Sequence, residues 1–235
     1  MSETNVKSTE ASAGKMFKNA VVLFVFTMVA GVLLGLIFDT TKVTIAAQEK
    51  TATENAYKAV FADADNFNLV FDAADSNKDT AMDSAFQTIK AADSNFAKVN
   101  LYSVNEALDA SGAVLGYVVT MTSSGYSSNI RFSIGFRQTE TGTHMNGVSI
   151  VYIAESPGLG MNAEPVLIPQ YNQVNEAGES LGRDDLPFTV TKDNDGTFDN
   201  GKINAITSAT ISSKAITNGI NAAYELYEQV LKGAN

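Results

Sequence analysis

Val114-Leu115-Gly116-Tyr117-Val118-Val119-Thr120-Met121-Thr122 is a run of β-branched, aromatic and apolar residues closed by Ser123-Ser124-Gly125. Such residues fit a pleated, half-buried surface, and the Ser-Ser-Gly cluster breaks the run, so the stretch reads as a strand. Ser128 to Gln138 has the same character. After a turn around Gly142, Gly147 to Ala154 sets Val148, Ile150 and Tyr152 against Ser149, Val151 and Ile153. Three runs joined by short turn clusters predict an antiparallel meander. Phe188 to Lys192 is a further strand candidate, ended by Asp193-Asn194-Asp195-Gly196.

Helical patterns flank these strands. Ile216, Ile220, Ala223, Tyr227 and Val230 keep 3- and 4-residue spacing, as one buried face would, predicting a last helix from about Ser213 to Leu231. Residues 43–60 suggest a helix. Residues 61–100, rich in Ala, Asp and Asn, suggest one or two short helices, Thr80 to Ala92 among them. No internal repeat is present. The expected class is α+β: a single N-terminal transmembrane helix, then a mixed, mainly antiparallel sheet domain with flanking helices.

The membrane segment rests on Ala20 to Phe38, which carries no charge over 19 residues. At about 1.5 Å per residue this is just long enough to cross a bilayer core. A cleaved signal peptide would have a shorter apolar core with a small-x-small site behind it; Phe38-Asp39-Thr40-Thr41 follows instead, so an uncleaved anchor is expected. Lys7, Lys15 and Lys18 precede the span, and the positive-inside rule puts the short N-terminal tail in the cytoplasm and the large domain outside, although Lys42 and Lys50 reduce the asymmetry. Gly31 and Gly35 form a small-xxx-small pair suited to packing on another helix; an ordinary lipid-facing helix is the other reading. The organisation expected is 1–19 cytoplasmic tail, disordered by composition; 20–38 anchor in membrane lipid; 39–100 helical linker; 101–235 globular domain.

Composition excludes several chemistries. The chain of 235 residues has no cysteine, no tryptophan and one histidine, His144. Disulfides, Fe–S clusters, thiolate zinc sites and cysteine nucleophiles are therefore impossible, as is a multi-histidine metal site. His144 sits in what reads as an exposed turn. Redox chemistry here would have to be carried by an organic cofactor. The net charge of −10 disfavours nucleic acid. Asp75-Ser76-Asn77-Lys78-Asp79 copies the start of an EF-hand loop but has Thr80 where Gly is required and Phe86 where Glu is required. Asp193, Asp195 and Asp199 around Gly196 are as well explained by a tight turn as by a cation. No metal is expected.

One cluster remains. Thr207-Ser208-Ala209-Thr210-Ile211-Ser212-Ser213-Lys214 opens the last helix. Free N–H groups and the positive dipole end there make a phosphate seat, and the same residues also suit a simple N-cap.

Thr207-Ser208-Ala209-Thr210 resembles the Ser/Thr-Gly/Ser-Ala-Thr flavinylation motif of the FMN-binding domain family, which includes the G subunit of the Rnf complex and the C subunit of the Na⁺-pumping NADH:quinone reductase. Glu155-Ser156-Pro157-Gly158-Leu159-Gly160 is similar to that family's Glu-Thr-Pro-Gly-Leu-Gly loop, and Gly125-Tyr126, Ile130 and Gly147 resemble its upstream pattern. With the N-terminal span, the resemblance covers about residues 20–232. It departs at Asn204, where the family's motif usually opens with Asp.

The resemblance implies FMN held through a phosphoester on Thr210, installed from FAD by a separate flavin transferase. It implies an electron-transfer subunit of an Rnf-type ion-pumping oxidoreductase in the cell membrane, binding no substrate of its own and partnered by the other membrane and peripheral subunits. The quinone-reductase C subunit and an anchored flavin module outside such a complex are the alternatives. Thr207, Ser208, Ala209 and Ser212 would surround the attachment point, with Ser212 or Ser213 as the cap. Lys214, one turn on, would offset the phosphate charge or be a solvated lysine. Gly158 and Gly160 let backbone approach a flat ring, Pro157 stiffens the loop, and Leu159 and Met161 would cover apolar ring surface. Tyr126 would stack on the ring or pack in the core.

Overall fold

The computed structural model describes residues 3–75, 79–173 and 181–233, with side chains from residue 15 onward. Two units result, residues 1–50 and 51–235.

The described residues of the first unit lie within helix α1 (Glu3–Val60). Its apolar stretch is long and hydrophobic enough to cross a membrane, and none of it is buried. The helix also runs through residues 3–19, for which composition suggests disorder. No proline occurs before Pro157, and Ala, Glu, Lys and Met are good helix formers, so nothing stops the helix upstream of the span.

The second unit is built on a five-stranded sheet in the order β1 (Asn66–Asp72), β2 (Val99–Leu108), β3 (Val114–Ser124), β4 (Asn129–Thr139), β5 (Gly142–Tyr152), every pair antiparallel. The expected meander is its β3–β5 half. β1 and β2 were not foreseen, and β1 brings part of the expected linker into the sheet unit. A small parallel pair, β6 (Thr189–Thr191) with β7 (Lys202–Asn204), stands apart from the main sheet. Helix α2 (Thr80–Ala92) matches its expected bounds; Asp79, the fifth residue of the failed calcium loop, is its N-cap and accepts from Ala81 N at 2.8 Å and Met82 N at 3.3 Å. Ser76, Asn77 and Lys78 of that loop lie outside the described residues.

The last helix, α4 (Thr210–Leu226), follows the short α3 (Ile168–Tyr171) and continues as one wider turn over Tyr227–Leu231. Ile216, Ile220, Ala223 and Tyr227 are buried, and Val230 packs at the edge of the same core. This face lies on the sheet with Val119, Met121, Phe132, Ile134 and Phe136, and Phe136 stacks on Tyr227 at 5.3 Å. Gly219 allows the close approach: a Cβ there would stand 2.5 Å from Phe132 Cζ. The opposite face of the sheet is covered by Tyr57, Val60, Phe61 and Ala64 against Ala107 and Val118. Both faces being buried explains the near-continuous apolar run of β3.

His144 is not in an exposed turn. It lies in β5, half-buried, with Nδ1 2.6 Å from Asp184 Oδ1. The turn is shorter than the sequence suggests, because Thr139 pairs with Gly142 and the strand resumes at once.

Candidate flavin site

Three segments meet beside the first turn of α4: the β3–β4 turn, the loop after β5, and the turn entering the helix. The loop 155–162 is wound on itself. Leu159 N donates to Ser156 O at 3.1 Å, Met161 N to the same oxygen at 3.3 Å, and Asn162 Nδ2 to Gly158 O at 2.9 Å. Gly158 has φ +75°, a left-handed conformation that glycine adopts without a Cβ penalty. Gly160 is buried against the Glu155 side chain.

Glu155 ties the segments together. Its carboxylate, in a residue only 4% exposed, accepts from Ser128 N at 2.9 Å, Ser127 N at 3.0 Å, Tyr126 N at 3.3 Å and Ser212 Oγ at 2.7 Å. Burial pushes the Glu155 carboxyl up, but these donors together outweigh it and hold it below the ordinary glutamate value. A buried carboxylate is tolerated here because its oxygens are met by four donors.

The turn into α4 is fixed by Ser213, whose hydroxyl accepts from Ile206 N and donates to Ala209 O, both at 3.0 Å. Helix α4 begins at Thr210 with Ala209 in the N-cap position and no side-chain cap. Ser212 and Ser213 are therefore not caps as expected. They lie inside the first turn, and their hydroxyls are committed to Glu155 and to the incoming turn. Ser208 has φ +63°, the conformation for which the family's alternative at that position, Gly, is suited.

β7 reaches this turn under tight control. Gln170 brackets Asn204, its Oε1 accepting from Asn204 N at 2.7 Å and its Nε2 donating to Asn204 O at 3.0 Å. The Asn204 side chain accepts from Gly196 N at 2.8 Å and donates to Gly196 O at 3.3 Å. That two-way grip needs an amide, because a carboxylate at this position has no hydrogen to donate. Buried Arg183 pairs with Asp185 and donates to Gln170 O at 2.6 Å, so the same corner is stapled from below.

A cavity of about 370 Å³ opens over these segments, lined by Tyr126, Glu155, Ser156, Leu159, Gly160, Ser208, Ala209, Thr210, Ile211 and Ser212. That volume lies in the range of small-molecule sites, roughly 300–1,000 Å³. Tyr126 is 73% exposed, so of its two readings the core one fails. Leu159 and Ile211 are also partly exposed, and Ile211 was not foreseen. Thr207, Pro157, Gly158 and Met161 lie outside the lining. Lys214 lines a second cleft, with Lys192, which Thr210 also lines. Among the described residues no group of three or more acidic or histidine side chains is arranged to hold a metal ion; Asp195 instead pairs with Lys202.

The lining suits a flat, largely apolar ring: exposed aromatic and aliphatic side chains form its wall, glycine backbone allows close approach, and Thr210 carries a hydroxyl that makes no hydrogen bond among the described residues.

Residues 125–225 match the FMN-binding domain and residues 9–60 match the RnfG N-terminal region. Residues 125–225 thus belong to the FMN-binding domain family. The chain is similar to the G subunit of the Na⁺-translocating ferredoxin:NAD⁺ oxidoreductase complex of Acetobacterium woodii, 28% identical over 92% of this chain and 94% of that one. It is also similar to the G subunit of the proton-translocating ferredoxin:NAD⁺ oxidoreductase complex of Clostridium ljungdahlii, 33% identical over 55% of this chain and 63% of that one. A solved structure, NqrC of Shewanella oneidensis, is similar over 54% of this chain and 57% of that one, with 17% identity and a TM-score of 0.38.

Proposed function

We propose that this chain is the membrane-anchored electron-transfer subunit of an Rnf-type ion-translocating oxidoreductase and carries FMN as a phosphoester on Thr210. The observation that carries the attachment point is the state of the hydroxyls. Those of Ser212, Ser213 and Thr217 are engaged in hydrogen bonds, whereas Thr210 has an uncommitted hydroxyl and lines the cavity. Ser208 also lines the cavity, but its strained backbone and place before the helix leave Thr210 as the residue held in a regular first turn.

Thr210 Oγ1 would form the ester by replacing the phosphoanhydride bond of FAD. The new P–O bond forms as AMP leaves, and the hydroxyl proton is released, with the transferase supplying the catalysis. Bound there, FMN supplies redox chemistry that no side chain of this cysteine-free chain can supply. Tyr126, Leu159 and Ile211 would hold the ring and limit water around it. Glu155 would act through the backbone it binds, fixing the β3–β4 turn against α4. Ser156 joins that support through a 3.0 Å contact between its hydroxyl and that of Ser127.

Likeness to an Rnf G subunit over nearly the full chain and the apolar stretch of α1 support a place in a membrane complex. The N-terminus is proposed on the cytoplasmic side, with the flavin domain outside. The test is expression with the flavin transferase, followed by acid precipitation. Flavin fluorescence that stays with the denatured chain is expected; flavin released wholly into the supernatant contradicts covalent attachment.

A further inference from the structure

Thr210 lines both the ring cavity and a second cleft of about 430 Å³, and among the described residues it is the one they share. The second cleft lies between β6, β7 and the start of α4, and is lined by Thr189, Thr191, Lys192, Asp193, Lys202 and Lys214 beside Val190 and Thr210. The two cavities differ in kind. The first has an apolar wall; the second has hydroxyls and charges.

Its cations divide into two sorts. Lys202 is paired with Asp195, and each shifts the other's pKa toward its charged form through a direct hydrogen bond. The ammonium groups of Lys192 and Lys214 make no hydrogen bond or ion pair among the described residues. They come from different places, the residue just after β6 and the first turns of α4, yet line one cleft. Asp193 faces it as well. Two free lysines against one carboxylate leave a single positive charge, which matches the single negative charge of a phosphodiester.

We propose that this cleft is the phosphate subsite of the flavin ester, with Lys192 and Lys214 as its cations. The inference rests on attachment at Thr210. A ring in the apolar cavity and a phosphate toward the basic cleft would place the two ends of one ligand in two cavities that share the residue binding it. The lysines would act on the diphosphate of the FAD donor as it approaches and on the ester once it forms. Because β6 and β7 build the floor, the Gln170–Asn204–Gly196 clamp that holds β7 would also hold this subsite.

The test uses the full chain with purified transferase and FAD. The variants are Lys192→Gln, Lys214→Gln, the double Gln variant, and a double Arg variant as rescue. Exposed lysines like these are replaced with little effect on folding. Two readouts are taken: the initial rate of mass gain at limiting FAD, and the ³¹P resonance of the esterified protein. The double Gln variant is expected to lose at least tenfold in rate and to show a moved ³¹P resonance, while the double Arg variant keeps both near wild type. A normal rate with a moved resonance supports contact with the ester. An unmoved resonance overturns the proposal: with a normal rate the lysines do nothing, and with a slowed rate they serve transferase docking instead. Failure of the wild-type chain itself to gain mass overturns attachment at Thr210 rather than the lysine assignment.

Discussion

The Ser212 hydroxyl donates a 2.7 Å hydrogen bond to the Glu155 carboxylate. It spans 57 positions of sequence and joins the first turn of α4 to the Pro-Gly loop. The other donors to Glu155 are backbone N–H groups of the turn that carries Tyr126. One buried side chain therefore fixes the three walls of the cavity relative to Thr210.

Removing the hydroxyl by Ser212→Ala takes away one of four donors to a buried charge. Hydrogen bonds to charged groups are worth about 1.5–3 kcal/mol, so a loss of about 2 kcal/mol is expected in urea unfolding of the protein. Glu155→Gln costs more, about 3 kcal/mol. Its single carbonyl oxygen must serve sites that two carboxylate oxygens served, and its NH₂ faces other donors. Equal stability of the two variants and wild type would remove Glu155 from its central place.

The same carboxylate makes stability pH-dependent. The folded pKa lies below the ordinary glutamate value, so its contribution is fully present above the unfolded value of about 4.3 and is lost as pH falls through the folded value. Glu155→Gln is accordingly expected to be the weaker protein at pH 7, by a margin that narrows as pH falls from 7 to below about 4.3. A difference in unfolding free energy that stays constant between the two pH values would contradict this.

Ser208 sits at φ +63°. A left-handed conformation costs a side-chain-bearing residue roughly 1–2 kcal/mol, against roughly 0.5–1 kcal/mol for the extra chain entropy of glycine. Ser208→Gly is expected to stabilise the domain by about 0.5 kcal/mol, the difference of those two costs, and to leave flavin attachment intact. A lower melting temperature in calorimetry would show that the Ser208 side chain has a partner role.

Gly158 and Gly160 stand two residues apart but are needed for different reasons. A Cβ on Gly160 would lie 2.7 Å from Glu155 Cβ and 2.9 Å from Cγ, whereas one on Gly158 meets nothing within 4 Å. Gly160→Ala should cost about 1–3 kcal/mol through overpacking and lower the extent of flavin attachment. Gly158→Ala should cost only about 1 kcal/mol, from its φ of +75°. Thermal unfolding and flavin content of the two variants, side by side, check the order.

Long, regular patterns were legible in the sequence. α2, the β3–β5 meander and the buried face of α4 follow from periodicity and turn residues. β2 was not legible because its inward positions include Ser103 and Asn105, which look like surface residues. Both are buried, and both engage the Tyr57 hydroxyl, at 3.2 and 2.9 Å, a long-range partner that no local pattern announces. β1 was hidden by the Asp and Asn residues around it, although Phe67, Leu69 and Phe71 alternate. At the site, motif resemblance located the loop and the helix start. It did not reveal that Glu155 supports backbone, or that Ser212 and Ser213 are engaged inside the helix. Nor did it show that Asn204 grips Gly196. These roles depend on contacts across 4 to 57 positions.

The central claim is that Thr210 bears the flavin. Intact-mass measurement of the wild-type chain and of Thr210→Val, each made with the flavin transferase, tests it most directly. Wild type should gain the mass of one FMN less water, and Thr210→Val should gain nothing. An adduct of the same mass persisting on Thr210→Val would contradict it and assign the flavin to another hydroxyl.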